Sequence, residues 1–294
     1  MTSLLVVCTA VLVTQGKYLS HPPLRINPPP SSRPLSKGPA FYVDAATGDD
    51  ANDGNKDSPW KTINHALKHL KAGHTLLLRG GTYFENVRVS LVGTKQKPIV
   101  IRSYPGEQAT IDGGIPDFQL SPADAWEPFS GGGKGEFRSK RTYPNIRDVI
   151  GAFGDSDIGL QTYWHLIDLR SPHELTAPGR NEDVRPQYCG PGIYYDRQTG
   201  HVHVRLAQTH FKHFDNYRGE TDPRKLPLVI AAFRSTPLWV DHAKHVKFQD
   251  LIIRGGGYET TTVTYGVDVD FDNVTIRGGT YAMRTENTGP FRFY

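Results

Sequence analysis

His245, Lys247 and Gln249 alternate along one short stretch of chain, and Asp268, Asp270 and Asp272 alternate in the same way 23 residues later. Alternation puts each trio on one face of an extended strand. If the two strands stack, the constant offset sets His245 beside Asp268, Lys247 beside Asp270 and Gln249 beside Asp272. Such a face combines an amine and an imidazole with carboxylates, the groups that general acid–base chemistry uses. Three carboxylates at period two also offer oxygen ligands to a hard cation such as Ca²⁺, which makes Asp268, Asp270 and Asp272 the candidate metal ligands. The competing reading is a cross-strand charge ladder, each pair contributing about 0.2–1 kcal/mol. Arg254 and Arg277, again 23 apart, are expected to stack on the outer surface, where two guanidinium groups can clamp a carboxylate. The alternative is that arginine covers a corner with its stem, as at Arg79 and Arg102.

Other constellations are weaker. The loop 49–57 is rich in Asp and Asn oxygens but lacks the EF-hand order and its terminal bidentate Glu, so turn chemistry is the expected role. His201 and His203 share a strand face, and His210/His213 and His242/His245 are three apart, yet no set of three has zinc-like spacing. Tyr163, Trp164, Tyr194 and Tyr195 supply aromatic surface for either a ligand or a local core.

The elements that must position these residues repeat. Leu251-Ile252-Ile253-Arg254 is echoed by Val274-Thr275-Ile276-Arg277, and Leu228-Val229-Ile230 precedes the first of these by the same 23 residues. Leu76-Leu77-Leu78-Arg79 and Ile99-Val100-Ile101-Arg102 echo each other at that spacing as well. A period in this range belongs to solenoids, whose turns bury their apolar faces only by stacking. Short β-branched strands with Gly-rich corners leave no room for two helices per repeat, so the expected fold is all-β, a right-handed parallel β-helix. Alternation points Val246, Phe248, Leu251 and Ile253 inward, with Val269, Phe271, Val274 and Ile276 stacked on them. Ser58-Pro59 reads as an N-cap and first-turn pair, followed by Trp60, Ile63, Leu67 and Leu70 on one face and Gly73 as the stop, an N-terminal capping helix.

Residues 115–226 break the period and read as an inserted α/β or β-rich subdomain, with a hairpin around Arg197-Gln198-Thr199-Gly200. The expected organisation is a signal peptide over 1–16, a spacer over 17–39 with seven prolines, the cap and first turns over 40–114, the insertion, and further turns over 227–294. Nothing at the end resembles a cap, which leads to the expectation that the natural protein continues past Tyr294. The apolar run 4–13 has signal-peptide length and is too short to span a bilayer, so export to a periplasmic or extracellular space is expected. Cys189 is then the one cysteine of the exported chain, and no internal disulfide can form. A formal charge of +4 is spread over 34 dispersed Lys and Arg, which argues against nucleic acid and is compatible with an anionic polymer.

Phe41-Tyr42-Val43, Gly48-Asp49-Asp50-Ala51-Asn52-Asp53-Gly54, Ser58-Pro59-Trp60-Lys61-Thr62-Ile63, Gly73-His74-Thr75-Leu76 and Arg79-Gly80-Gly81-Thr82-Tyr83 together resemble the N-terminal region of secreted pectate-lyase-like right-handed β-helix proteins. The likeness covers residues 41–114, and the hairpin near Tyr195-Asp196 is similar to one seen in hydrolase-like members. The resemblance implies a polysaccharide lyase or a β-helix glycoside hydrolase, a polysaccharide substrate and a monomer when full length. A lyase acting on a uronic acid must neutralise the carboxylate with Ca²⁺ or cations and remove the adjacent proton with a base, and Lys247, Asp270, Asp268, Arg254 and Arg277 are the residues expected to do this. A hydrolase needs two carboxyl groups about 5–9.5 Å apart, for which Asp268 with Asp270, or either with Glu259 or Glu286, are the candidates. The third reading is a non-catalytic solenoid that binds a cell surface or matrix.

Overall fold

The computed structural model describes residues 27–144, 146–156, 158–175, 186–213 and 215–294; the expected signal peptide lies outside them. Three parallel sheets coil around one apolar core. The first sheet runs Ala40–Val43, Thr75–Leu78, Ile99–Ser103, Lys244–Gln249, Val267–Asp272 and Phe291–Phe293. The second runs Gly81–Phe84, Ala109–Asp112, Leu251–Gly256 and Thr275–Gly278, and the third Val87–Val89, Leu238–Asp241, Glu259–Thr264 and Tyr281–Glu286. The chain visits the sheets in rotation, which is a parallel β-helix. Val246, Phe248, Leu251, Ile253, Val269 and Phe271 are buried as alternation requires, and Phe248, Phe271 and Phe293 form one stack with ring centres 5.0 and 5.1 Å apart.

The corners repeat with the strands. His242 and Tyr265, His245 and Asp268, and Asp250 and Asn273 all have positive φ near 50–57°, each pair 23 residues apart. At the corner between the first and second sheets the left-handed residues are Asp and Asn, whose short side chains tolerate that conformation. Asn273 Nδ2 donates to Asp250 Oδ1 at 2.9 Å, tying one turn to the next.

The spacing is not uniform, and this corrects the sequence reading. Val246 lies opposite Val269, 23 residues on, but Leu76 lies opposite Ile101, 25 on, and Phe271 opposite Phe293, 22 on. Arg102 lies in a first-sheet strand and Arg79 directly after one, whereas Arg254 and Arg277 belong to the second sheet, so the early and late arginines are not equivalent. Arg254 instead faces Asp112 across the ladder. The helix is also shorter than the apolar pattern implied. It spans Ile63–Leu67 with Thr62, not Ser58, as N-cap, because the Glu85 carboxylate accepts from the Ile63 and Asn64 amides at 2.8 and 3.0 Å and fixes the first turn there. Its Ile63, Ala66 and Leu67 join the β-helix core.

Between Asp112 and Leu238 the chain leaves the three sheets. Here it builds a five-stranded sheet in the order Gln161–Thr162, Gly192–Tyr195, Val202–Arg205, Glu136–Ser139, Trp126–Pro128, and a separate antiparallel pair, Val149–Phe153 with Leu228–Ala232. A second core forms around Phe118, Trp126, Phe153, Val204, Tyr217 and Ile230. Leu228-Val229-Ile230, expected as a solenoid strand, therefore belongs to this side domain, its backbone already paired with Val149–Phe153. The hairpin is set by Asp196, whose carboxylate accepts from the Gln198 amide at 2.9 Å and Thr199 Oγ1 at 2.7 Å.

Residues 27–39 are not a free spacer. Gly106 N donates to Ser31 O at 2.9 Å and Thr75 N to Pro39 O at 3.0 Å. Arg33 reaches Asp250 at 3.1 Å and Asp272 at 2.9 Å, while Arg102 donates to the carbonyls of Pro34 and Arg33, both at 2.9 Å. The segment is a strap that is held at the corner between the first and second sheets by Ser31, Arg33 and Pro34 and then runs back to the start of the first-sheet strands at Pro39.

Candidate functional site

The candidate residues fall on all three sheets, and the two main groups are separated by the Asp250/Asn273 corner. On the outer face of the first sheet the expected pairs form: His245 Nδ1 to Asp268 at 3.1 Å, Lys247 Nζ to Asp270 at 3.3 Å, and Gln249 Nε2 to Asp272 at 3.1 Å. The next turn adds a residue that the 23-residue period placed one position away, Arg292. It donates to Asp270 at 2.7 Å and lies 3.5 Å from Asp268. Asp272 is held by Arg33 of the strap. Asp270 thus meets Lys247 and Arg292, Asp268 shares Arg292 and touches His245, and Asp272 meets Arg33, and among the described residues no three His, Cys, Asp or Glu side chains converge as metal ligands. Glu259 and Glu286 sit on the third sheet, both against Arg284 at 3.2 and 2.9 Å.

Arg254 and Arg277 lie on the second sheet, pointing away from the β-helix core, but the side domain folds over them. Arg277 is only 6% exposed, a correction to the expected surface stack. The two guanidinium groups line a cleft of about 360 Å³ between the β-helix and the strand pair of the side domain. Gly255, Gly256, Gly278 and Gly279 form its floor, and Ile150, Ala152 and Leu160 its opposite wall. Arg254 is oriented by Asp112 at 2.8 Å and Gln119 at 2.9 Å, and Asp112 is fully buried beneath it. Gly255 has φ of +72°, and a Cβ there would overlap the Asp112 carboxylate, so only glycine lets the carboxylate approach. Arg254 and Arg277 thus bring two guanidinium groups to one concave site, the geometry with which arginines recognise carboxylates.

The remaining constellations resolve into structural roles. In the loop 49–57, Asp50 accepts from the Lys61 and Thr62 amides at 2.9 Å, and Asn55 from those of Asp57 and Ser58 at 2.9 Å. The histidines are dispersed: His201 contacts Ser139 O, His210 contacts Glu174 and His242 contacts Asp241. His203 is buried against Glu136 at 2.7 Å, and Arg170 holds the same carboxylate at 2.8 and 2.9 Å. Burial alone would raise the Glu136 carboxyl, but hydrogen bonds from His203, Arg170 and the Gly133 amide outweigh it and bring it down to about 2. Of the four aromatic residues, Tyr163 and Tyr195 are buried, Tyr194 is half-buried and Trp164 is exposed.

Residues 46–101 match the family model described as a protein of unknown function (DUF1565). The chain is 40% identical over 86 residues to pectate lyase PEL9 of Emericella nidulans, covering 29% of this chain and 20% of that one. It is 41% identical over 76 residues to the uncharacterized protein YwoF of Bacillus subtilis, covering 26% of this chain and 16% of that one. The chain thus spans a fifth or less of the length of these curated relatives. A solved glycoside hydrolase superposes with a TM-score of 0.52 at 11% identity, over 82% of this chain and 62% of that one, a likeness of fold. The right-handed β-helix resemblance read from residues 41–114 is borne out. Among the described residues no helix is long and apolar enough to cross a membrane.

Proposed function

We propose that the chain belongs to a carbohydrate-active β-helix protein that binds a uronic-acid-containing polysaccharide in the Arg254/Arg277 cleft and cleaves it by β-elimination. The observation that carries this is the pair of arginines from successive turns, facing a glycine floor under the cover of the side domain. Elimination beside a uronate carboxylate is slow while the carboxylate keeps its charge, because the carbanion-like transition state adds a second negative charge next to it. Arg254 is oriented by Asp112, Gln119 and the Gly154 carbonyl, which fix its guanidinium at the cleft. Arg277, from the next turn, brings a second guanidinium to the same cleft. Among the described residues no Lys, His or Tyr lines the cleft, so the role proposed for it is carboxylate recognition, with no base proposed in it. The ladder of Lys247, Asp268 and Asp270 is proposed as a stiffening element of the neighbouring face, and Asp268, Asp270 and Asp272 as counter-ions rather than Ca²⁺ ligands.

The test is ultraviolet absorbance on a panel of polyuronates, since elimination leaves an unsaturated sugar. New absorbance that disappears in Arg277→Ala supports the reading. Reducing ends without absorbance make the protein a hydrolase, and binding without either signal makes it a matrix-binding solenoid.

A further inference from the structure

The side domain carries a second concavity, of about 630 Å³, that the cleft chemistry does not use. Its walls include Trp164, Tyr194, His165, Asp148, Asp196 and Arg197. The volume falls in the range of small-molecule sites, roughly 300–1,000 Å³. Trp164 is 66% exposed at this concave surface, and the tyrosine before it shows that the exposure is selective. Tyr163 is buried with its hydroxyl donating to Gly190 O at 2.8 Å, and Tyr195 is buried with its own on Tyr143 O at 2.7 Å. These two rings form a fixed backing, while Trp164 and Tyr194 keep aromatic surface turned to water.

The polar groups of the pocket are preset. Asp196 is pinned by the hairpin turn, and Arg197 is held by Arg147 O at 3.0 Å and Asp148 at 3.3 Å. Two carboxylates and one guanidinium give the pocket one net negative charge. An anionic sugar is therefore disfavoured. An indole face packs against the C–H face of a pyranose, and fixed carboxylate and guanidinium groups exchange hydrogen bonds with its hydroxyls.

We propose that the pocket formed by Trp164, Tyr194, Asp148, Asp196 and Arg197 is a binding subsite for a neutral saccharide, separate from the cationic cleft. The proposal rests on the carbohydrate-active reading for the ligand class only and needs no catalysis. It is tested by probing the full chain with an array of neutral oligosaccharides, then titrating the best binder while following tryptophan fluorescence. Wild-type chain binds a neutral oligosaccharide, Trp164→Ala weakens it by about tenfold or more, Trp164→Phe recovers part of the loss, and Arg277→Ala leaves it unchanged. Circular dichroism of both Trp164 variants serves as the folding control, and an exposed indole is not expected to support the core. Neutral-glycan binding that survives Trp164→Ala, or its absence across the array, overturns the subsite. Loss of polyuronate binding in Arg277→Ala reads the cleft alone, so the two proposals fail separately.

Discussion

The β-helix and the side domain both bury charge beside an apolar core, yet they place it by different rules. In the β-helix every turn lies on its predecessor, so a charged residue finds its partner one turn away, as Lys247 does with Asp270 and Asp268 with His245. Rows of this kind neutralise themselves. In the side domain the partners come from unrelated positions: Glu136 gathers Arg170 and His203, 34 and 67 residues distant. Arginines from successive turns, Arg254 and Arg277, come together where the two regions meet, and the aromatic surface that no repeat constrains collects at Trp164. Regularity supplies the frame, and its interruptions supply the concavities.

The strongest way to break the frame is at Asp250. Its side chain and that of Arg102 are each 1% exposed and lie 3.2 Å apart. Asp250→Asn keeps the size and the left-handed corner while leaving Arg102 buried without its counter-charge, a loss on the order of 3–5 kcal/mol. Urea unfolding measures it. A fall below about 1 kcal/mol would show that the strap carbonyls of Arg33 and Pro34 satisfy Arg102 by themselves.

At the junction the expected effect is on turnover. Arg277→Ala should slow the proposed elimination by about 10²–10³-fold, the cost of removing a preorganised charge from a transition state, a larger effect than any on the unfolding midpoint. Arg254→Ala should lower both, because it strips the buried Asp112 of its cation. Equal losses of stability in the two variants would place Arg277 in the packing and not in the chemistry.

In the side domain the comparison is sharpened by acid. The Glu136 carboxyl lies at about 2 in the folded state against an ordinary 4.5. Its folded value is depressed, so the stability it contributes is complete above pH 4.5 and is lost as pH falls from there to about 2. The expected size is on the order of 3 kcal/mol, read as the slope of urea stability against pH. Glu136→Gln should lower neutral stability and flatten that slope; an unchanged slope would assign the acid sensitivity to other carboxylates.

How far the sequence reveals this molecule follows the same division. The inward rows and the pairs at 245/268 and 247/270 are legible because one turn is one fixed offset. Arg292 was missed because the last turn is one residue shorter, and that single deletion moves every neighbour. Leu228–Ala232 carries the apolar pattern of a turn strand but pairs antiparallel with Val149–Phe153, and a short apolar run looks the same in either sheet. Arg33 meets Asp250 across 217 residues, a distance at which spacing carries no signal. The side domain's cover over Arg277 is invisible for a related reason: the chain shows where an insertion leaves, not where it lies down.

The smallest predicted effect separates a row from a site. Lys247 Nζ stands 3.3 Å from Asp270, with 41% of its side chain exposed. Asp270 is 4% exposed and also accepts from Arg292 at 2.7 Å. Removing the lysine leaves the carboxylate with its shorter, guanidinium partner, so no buried charge is stranded. Lys247→Ala should therefore cost about 0.2–1 kcal/mol in urea unfolding and leave polyuronate turnover within about twofold of wild type. Asp270→Ala, which releases Lys247 and Arg292 together, should cost more stability while turnover again holds. If turnover collapses in Lys247→Ala on a folded protein, the first-sheet face is catalytic after all. The lysine, round the Asp250 corner from the arginine cleft, would then be the base that the cleft lacks.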